Sequence, residues 1–153
     1  MKSDGILRHA AVAMVIAVIL YAGGYSLDQH LRIRRGPWQV TFSAESSNAP
    51  AITINQPALG ISNLKIVFVG EVAGPTNGTV IFDVPEKPVP FGKVIFEDLT
   101  YLPGTVTLDA FGHEIELIPR TLFVNRQERG WPSGTNIVLS PADKRSFPPR
   151  VKK

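Results

Sequence analysis

Thr105-Val-Thr-Leu-Asp-Ala-Phe-Gly-His-Glu-Ile-Glu-Leu-Ile118 decides the fold class. Val106 and Leu108 alternate with Thr105, Thr107 and Asp109. After the turn, His113, Ile115 and Leu117 share one face, with Glu114 and Glu116 on the other. A period of two marks a half-buried strand, because successive side chains leave the backbone on opposite sides. Phe111-Gly112 lies between the two runs, and glycine enters the φ > 0 region that a tight reversal needs. The segment predicts an antiparallel hairpin.

The same pattern extends in both directions. Trp38–Ser43, Ala51–Ile54, Leu64–Val72, Thr79–Val84, Lys93–Glu97, Thr121–Asn125 and Thr135–Leu139 are short runs rich in Val, Ile, Thr and Phe, as pleated surfaces prefer. Leu64-Lys-Ile-Val-Phe-Val69 is apolar on both faces after Lys65, which predicts a central strand covered twice. Asn77-Gly78 predicts a second hairpin turn, and Pro85–Pro90 an extended loop. All 13 prolines fall after residue 36. An interior proline costs a helix about 3 kcal/mol and a glycine about 1 kcal/mol, so no long helix fits there. Residues 37–140 therefore read as all-β, an antiparallel β-sandwich or jelly-roll-like domain, preceded by one N-terminal transmembrane helix.

That helix is read from Ala10–Leu27, 18 residues without a charge. At about 1.5 Å per residue they cover roughly 27 Å, close to a hydrocarbon core of about 30 Å. Tyr21 and Tyr25 suit an interfacial belt, and Arg32, Arg34 and Arg35 form a membrane-proximal basic cluster. The length favours a retained anchor over a cleaved signal peptide, although Ala22 and Gly24 would suit a cleavage site before Tyr25. Three basic residues after the span against two before it favour a cytoplasmic domain. A short basic tail ahead of a first apolar helix instead exports the chain beyond the helix, and the expectation adopted is an extracytoplasmic domain.

Charge divides the chain in the same way. Residues 1–36 hold five Lys or Arg against two acids, residues 37–140 six against ten, and residues 141–153 five against one. The folded block is acidic, which argues against a nucleic-acid partner. The absence of cysteine excludes disulfides, thiol nucleophiles and Cys-ligated metals. Residues 141–153 read as a flexible basic tail able to meet anionic headgroups.

Chemistry is sparse, and no cofactor is expected. His113 is the one histidine between residues 37 and 140; His113-Glu114 begins a zinc-protease signature, but Leu117 stands where its second histidine belongs. Asp109, Glu114 and Glu116 read as the solvated face of the hairpin. Ser47-Asn-Ala-Pro50 and the stretch from Lys93 to Leu102-Pro-Gly104 resemble, in outline, the membrane-anchored signal peptidases. That resemblance implies a Ser47–Lys93 dyad, but the family's Lys-Arg pair and its Gly-Asp-Asn and Ser-x-Asp-Ser-Arg segments are missing. The remaining candidates are binding residues: Trp131 beside Arg126 and Arg129, an aromatic surface next to guanidinium groups. The same Trp131 also suits a plug at the end of a sandwich. The reading is a single-pass membrane protein whose β-domain binds or scaffolds a protein partner in the cell envelope without catalysis. A membrane-bound Ser-Lys hydrolase and a secreted domain are its alternatives.

Overall fold

The computed structural model describes residues 3–45, 48–100 and 102–144, with the backbone alone at 3–4 and 28–35. The chain divides into two units, residues 1–34 and 35–153.

The first unit is helix α1, Ser3–Arg35. Within it Gly5–Leu27 is 23 residues long with a mean hydropathy of 2.0. This length spans about 34 Å, enough for a bilayer core or for a signal sequence. Its apolar side chains are spread around the whole circumference rather than gathered in one stripe. They are exposed, Leu20 at 70% and Tyr21 at 77%. A helix of this kind suits apolar surroundings on every side. Tyr21 and Tyr25, one turn apart, stack with centroids 6.5 Å apart.

The second unit holds ten strands among the described residues. They are β1 Gln39–Glu45, β2 Asn48–Gln56, β3 Ile61–Phe68, β4 Thr76–Ile81, β5 Lys93–Asp98, β6 Thr105–Ala110, β7 His113–Ile118, β8 Thr121–Val124, β9 Gln127–Arg129 and β10 Asn136–Leu139. Two five-stranded sheets result, in the orders β10-β3-β2-β1-β4 and β5-β6-β7-β8-β9. All pairings are antiparallel except β10 with β3. In the first sheet β1, β2 and β3 form a meander and β4 returns to lie beside β1, the Greek-key order. The second sheet is a simple meander.

Alternation places the core. Val40 and Phe42 of β1, Ile52 and Ile54 of β2, and Leu64, Ile66 and Phe68 of β3 join Val106, Leu108, Ile115, Leu117 and Leu122 of the second sheet in one buried cluster. Phe68 lies 5.2 Å from Phe111 and 6.4 Å from Phe91 between ring centroids. The buried polar Gln56 is satisfied locally: its Nε2 donates to Gly36 O and Pro37 O, and its Oε1 accepts from Ala58 N–H. Pairing such a group avoids the cost of burying it dry.

The hairpin at Phe111-Gly112 is present, with Ala110 opposite His113 and φ of 54° and 81° at the turn. Positive φ at both central residues is the type I′ geometry, which follows the twist of the flanking strands. Asn77-Gly78 is a correction. The pair lies inside β4, opposite Ser43 and Phe42 of β1, so pairing with a distant strand overrides the local turn preference. A second correction concerns β3. It is central by hydrogen bonding, but Lys65 on its second face is exposed and Val67 only half-buried. Val67 instead lies in a short row with Ala51 of β2 and Val138 of β10 across three strands.

Candidate binding site

One edge strand of each sheet, β9 and β10, comes to a cleft of about 670 Å³. Gln127, Arg129 and Gly130 form one wall, Asn136–Leu139 another, and Val124 and Asp143 also line it. Each wall is held by a different local device.

β9 is positioned by the turn at Asn125-Arg126, where φ is 52° and 62° and Val124 pairs with Gln127. Asparagine tolerates the left-handed region better than most residues. Here it is buried and its amide is fully committed. Oδ1 accepts from Glu114 N–H at 3.1 Å; Nδ2 donates to Asp143 O and to His113 Nδ1, both at 3.0 Å. Turning the amide over would place its NH₂ against Glu114 N–H, donor against donor. His113 Nδ1 is therefore an acceptor, and the neutral ring carries its proton on Nε2, which is buried without a hydrogen-bond partner among the described residues. Burial, then the nearby Lys144, pulls the His113 pKa below 6.5, against the opposing charges of Asp143 and Glu71. Lys144 itself is paired with Glu71 at 2.5 Å.

β10 is positioned from both ends. Before it, Trp131-Pro-Ser-Gly134 is fastened to the β2–β3 turn. Ser133 Oγ donates to Gly60 O at 2.8 Å and accepts from Ser62 N–H at 3.1 Å, while Gly134 N–H donates to Ser62 O at 2.8 Å. After it, Ser140 caps the short 3₁₀ helix Pro141–Asp143: the Asp143 carboxylate accepts from Ser140 N–H at 2.8 Å and Ser140 Oγ–H at 2.7 Å. These bonds hold the Asp143 pKa below 3.8.

The three binding residues expected from the sequence take separate places. Arg129 lines the cleft, exposed, with its guanidinium 3.4 Å from Gln127 Oε1. Trp131 is half-buried and turned inward, its ring 5.4 Å from that of Trp38. Trp38 is fully buried and donates through Nε1 to Gly104 O at 2.5 Å. Arg126 points round the turn, with Nε 3.9 Å from Glu114 Oε1. Arg32, Arg34 and Arg35 lie in the last turns of α1, and their side chains are outside the described residues.

Asn125, Asp143 and Ser140 are site-forming residues that sequence reasoning missed. Ser140-Pro-Ala-Asp143 carried a readable signal, a capping box with proline in the first turn. Asn125 carried none, because its partners come from distant positions.

Reactive groups are widely dispersed. Lys93 is 72% exposed on β5 and 3.6 Å from Asp109, whereas a dyad lysine works desolvated; Ser47 lies outside the described residues. Among the described residues no cluster of three His, Asp or Glu could hold a metal ion. The cleft offers amides, a guanidinium, a carboxylate and strand backbone, which are groups for recognition. Comparison with family models, curated proteins and solved structures finds no match for this chain.

Proposed function

We propose that this chain is a single-pass, membrane-anchored β-sandwich that binds another protein of the cell envelope at the β9–β10 cleft, without catalysing a reaction. One observation carries the anchor. Gly5–Leu27 is long enough for a bilayer and apolar on all sides, and a separate unit with its own core comes after it. The sandwich reading is supported by alternate residues of both sheets contributing to one buried cluster. The acidic balance of residues 37–140 supports a protein partner over nucleic acid. Lys2 and Arg8 ahead of the apolar helix, taken as its cytoplasmic flank, support the extracytoplasmic side for the β unit.

The anchor is tested by washing membranes with alkaline carbonate and sequencing the N-terminus. Retention of a chain beginning at Met1 is expected; release into the wash, or a new N-terminus near Tyr25, refutes it. The cleft is tested by a photo-crosslinking side chain at Asn136 in living cells, with Thr53 on the first sheet as the control. A protein adduct from Asn136 and none from Thr53 is expected. Equal capture by both positions removes the cleft as the binding site.

A further inference from the structure

A strand at the edge of a sheet carries a row of backbone donors and acceptors open to any other strand, and folded proteins usually blunt such edges. Three of the four edges here are blunted. β5 has a register break between Val94 and Phe96 and carries Lys93, Glu97 and Asp98. β9 is only Gln-Glu-Arg, and β10 is four residues long with Pro141 close behind. The fourth edge, β4, is different. Thr76-Asn-Gly-Thr-Val-Ile81, which begins directly after Pro75, is six residues long with no charge and no proline of its own, and it runs beside β1 without a register break.

The side of β4 that is free is set by one hydrogen bond. Phe82 N–H donates to Trp38 O at 3.0 Å, so residues 38 and 82 form a hydrogen-bonded pair. Antiparallel pairs alternate, so Val80, Gly78 and Thr76 direct their backbone groups to Val40, Phe42 and Ala44. The N–H and C=O groups of Asn77 and Thr79 and the N–H of Ile81 then face outward, while Ile81 C=O already accepts from Asp83 N–H at 3.0 Å; all three residues are exposed.

We propose that this edge pairs antiparallel with the same edge of a second copy of the chain, with Thr79 on the two-fold axis. Thr79 then faces Thr79 of the second copy, and Asn77 faces its Ile81. The outward set is its own complement in this register, closing roughly four unshared backbone hydrogen bonds, with two more in which Ile81 C=O would serve both Asp83 N–H and the second copy, and joining two five-stranded sheets into one. The occupant is a second copy because identical partners bring identical charges, so a charged edge repels itself. This one is neutral, and Asp83 just beyond it is ion-paired with Lys87. Confinement of copies to one bilayer would strengthen so short a contact; this last argument rests on the anchor reading, whereas the edge geometry does not.

The test uses the full chain in detergent micelles. It contains no cysteine, so a single introduced thiol reports one position. Facing Cα atoms of a hydrogen-bonded antiparallel pair are about 5.5 Å apart, within disulfide reach. Mild oxidation should crosslink Thr79→Cys, and also an equimolar mixture of Asn77→Cys and Ile81→Cys, but not Ile81→Cys alone. Thr79→Lys should halve the mass seen by light scattering with an unchanged sheet signal in circular dichroism, and mixing it with Thr79→Glu should restore the dimer. A monomeric mass for the unaltered chain, a dimeric Thr79→Lys, crosslinking of Ile81→Cys alone, or a different protein seated on β4 would overturn the proposal. A chain released by carbonate that still crosslinks through Thr79→Cys ends the anchor reading and upholds the pairing.

Discussion

Replacing Asn125 by alanine removes the group that ties β7, the 3₁₀ helix Pro141–Asp143 and the buried His113 together. Three hydrogen bonds disappear, to Glu114 N–H, Asp143 O and His113 Nδ1. Each is worth about 0.5–1.5 kcal/mol net, and a buried imidazole nitrogen left without a partner lies at the upper end of that range. Alanine at φ 52° also loses the local support that asparagine finds in the left-handed region, a cost of about 1 kcal/mol. The sum is a destabilisation of about 3–4 kcal/mol, large against the 5–15 kcal/mol by which most domains are stable. Urea unfolding of the full chain in micelles measures it. Both tryptophans, Trp38 and Trp131, belong to the β unit, so their fluorescence reports its unfolding without interference from α1. At a slope of about 2 kcal/mol per molar urea the midpoint should fall by roughly 1.5–2 M with the slope unchanged. A shift below about 0.5 M would mean that water or a rearranged turn replaces these bonds, and the role assigned to Asn125 would be wrong.

The remaining predictions concern His113 and the packing. The folded His113 pKa lies below 6.5, so between the two values the unfolded chain holds more protons. Stability should therefore be complete above 6.5, fall as pH drops through 6.5, and level off below the folded value. Urea midpoints measured from pH 8 to pH 5 trace this. His113→Leu should flatten that part of the curve, and an equally steep curve in the variant would place the titration elsewhere. At Gly104 an added Cβ would stand 1.9 Å from Asp98 O. Gly104→Ala must displace backbone and should cost about 2–4 kcal/mol by the same assay; wild-type stability would contradict the close approach. Trp131→Ala should lower stability by about 2–3 kcal/mol through lost packing on Trp38. If it abolished crosslinking from Asn136 without altering stability, Trp131 would instead be a contact residue.

Strand positions were legible because burial here has a period of two. Val40 and Phe42, or Ile115 and Leu117, announce an inward face without any knowledge of their neighbours. β9 was not legible, since Gln127-Glu128-Arg129 is polar on both sides and fully exposed; only pairing with β8 makes it a strand. Topology was also hidden. Nothing local says that the segment after Phe68 carries the chain past β2 and β1 to reach the far edge of its sheet, and Asn77-Gly78 misled for that reason. At the site, Arg129 and Trp131 were identifiable by type, but Trp131 turns inward onto Trp38, more than ninety positions away, and Arg129 is placed at the cleft by the pairing of β9 with β8. The roles of Asn125 and His113 depend on Asp143 and Glu114 meeting them in space, and local propensity carries no trace of that.

The parallel neighbour of β3 has a consequence for biogenesis. A ribosome delivers Ile61–Phe68 long before Asn136–Leu139, yet these two stretches finish the same sheet side by side. Until the late stretch emerges, the flank of β3 stands bare, an unpaired edge of backbone donors and acceptors. Completion of the first sheet is therefore a late, long-range event for this polypeptide, because it joins two strands far apart in sequence.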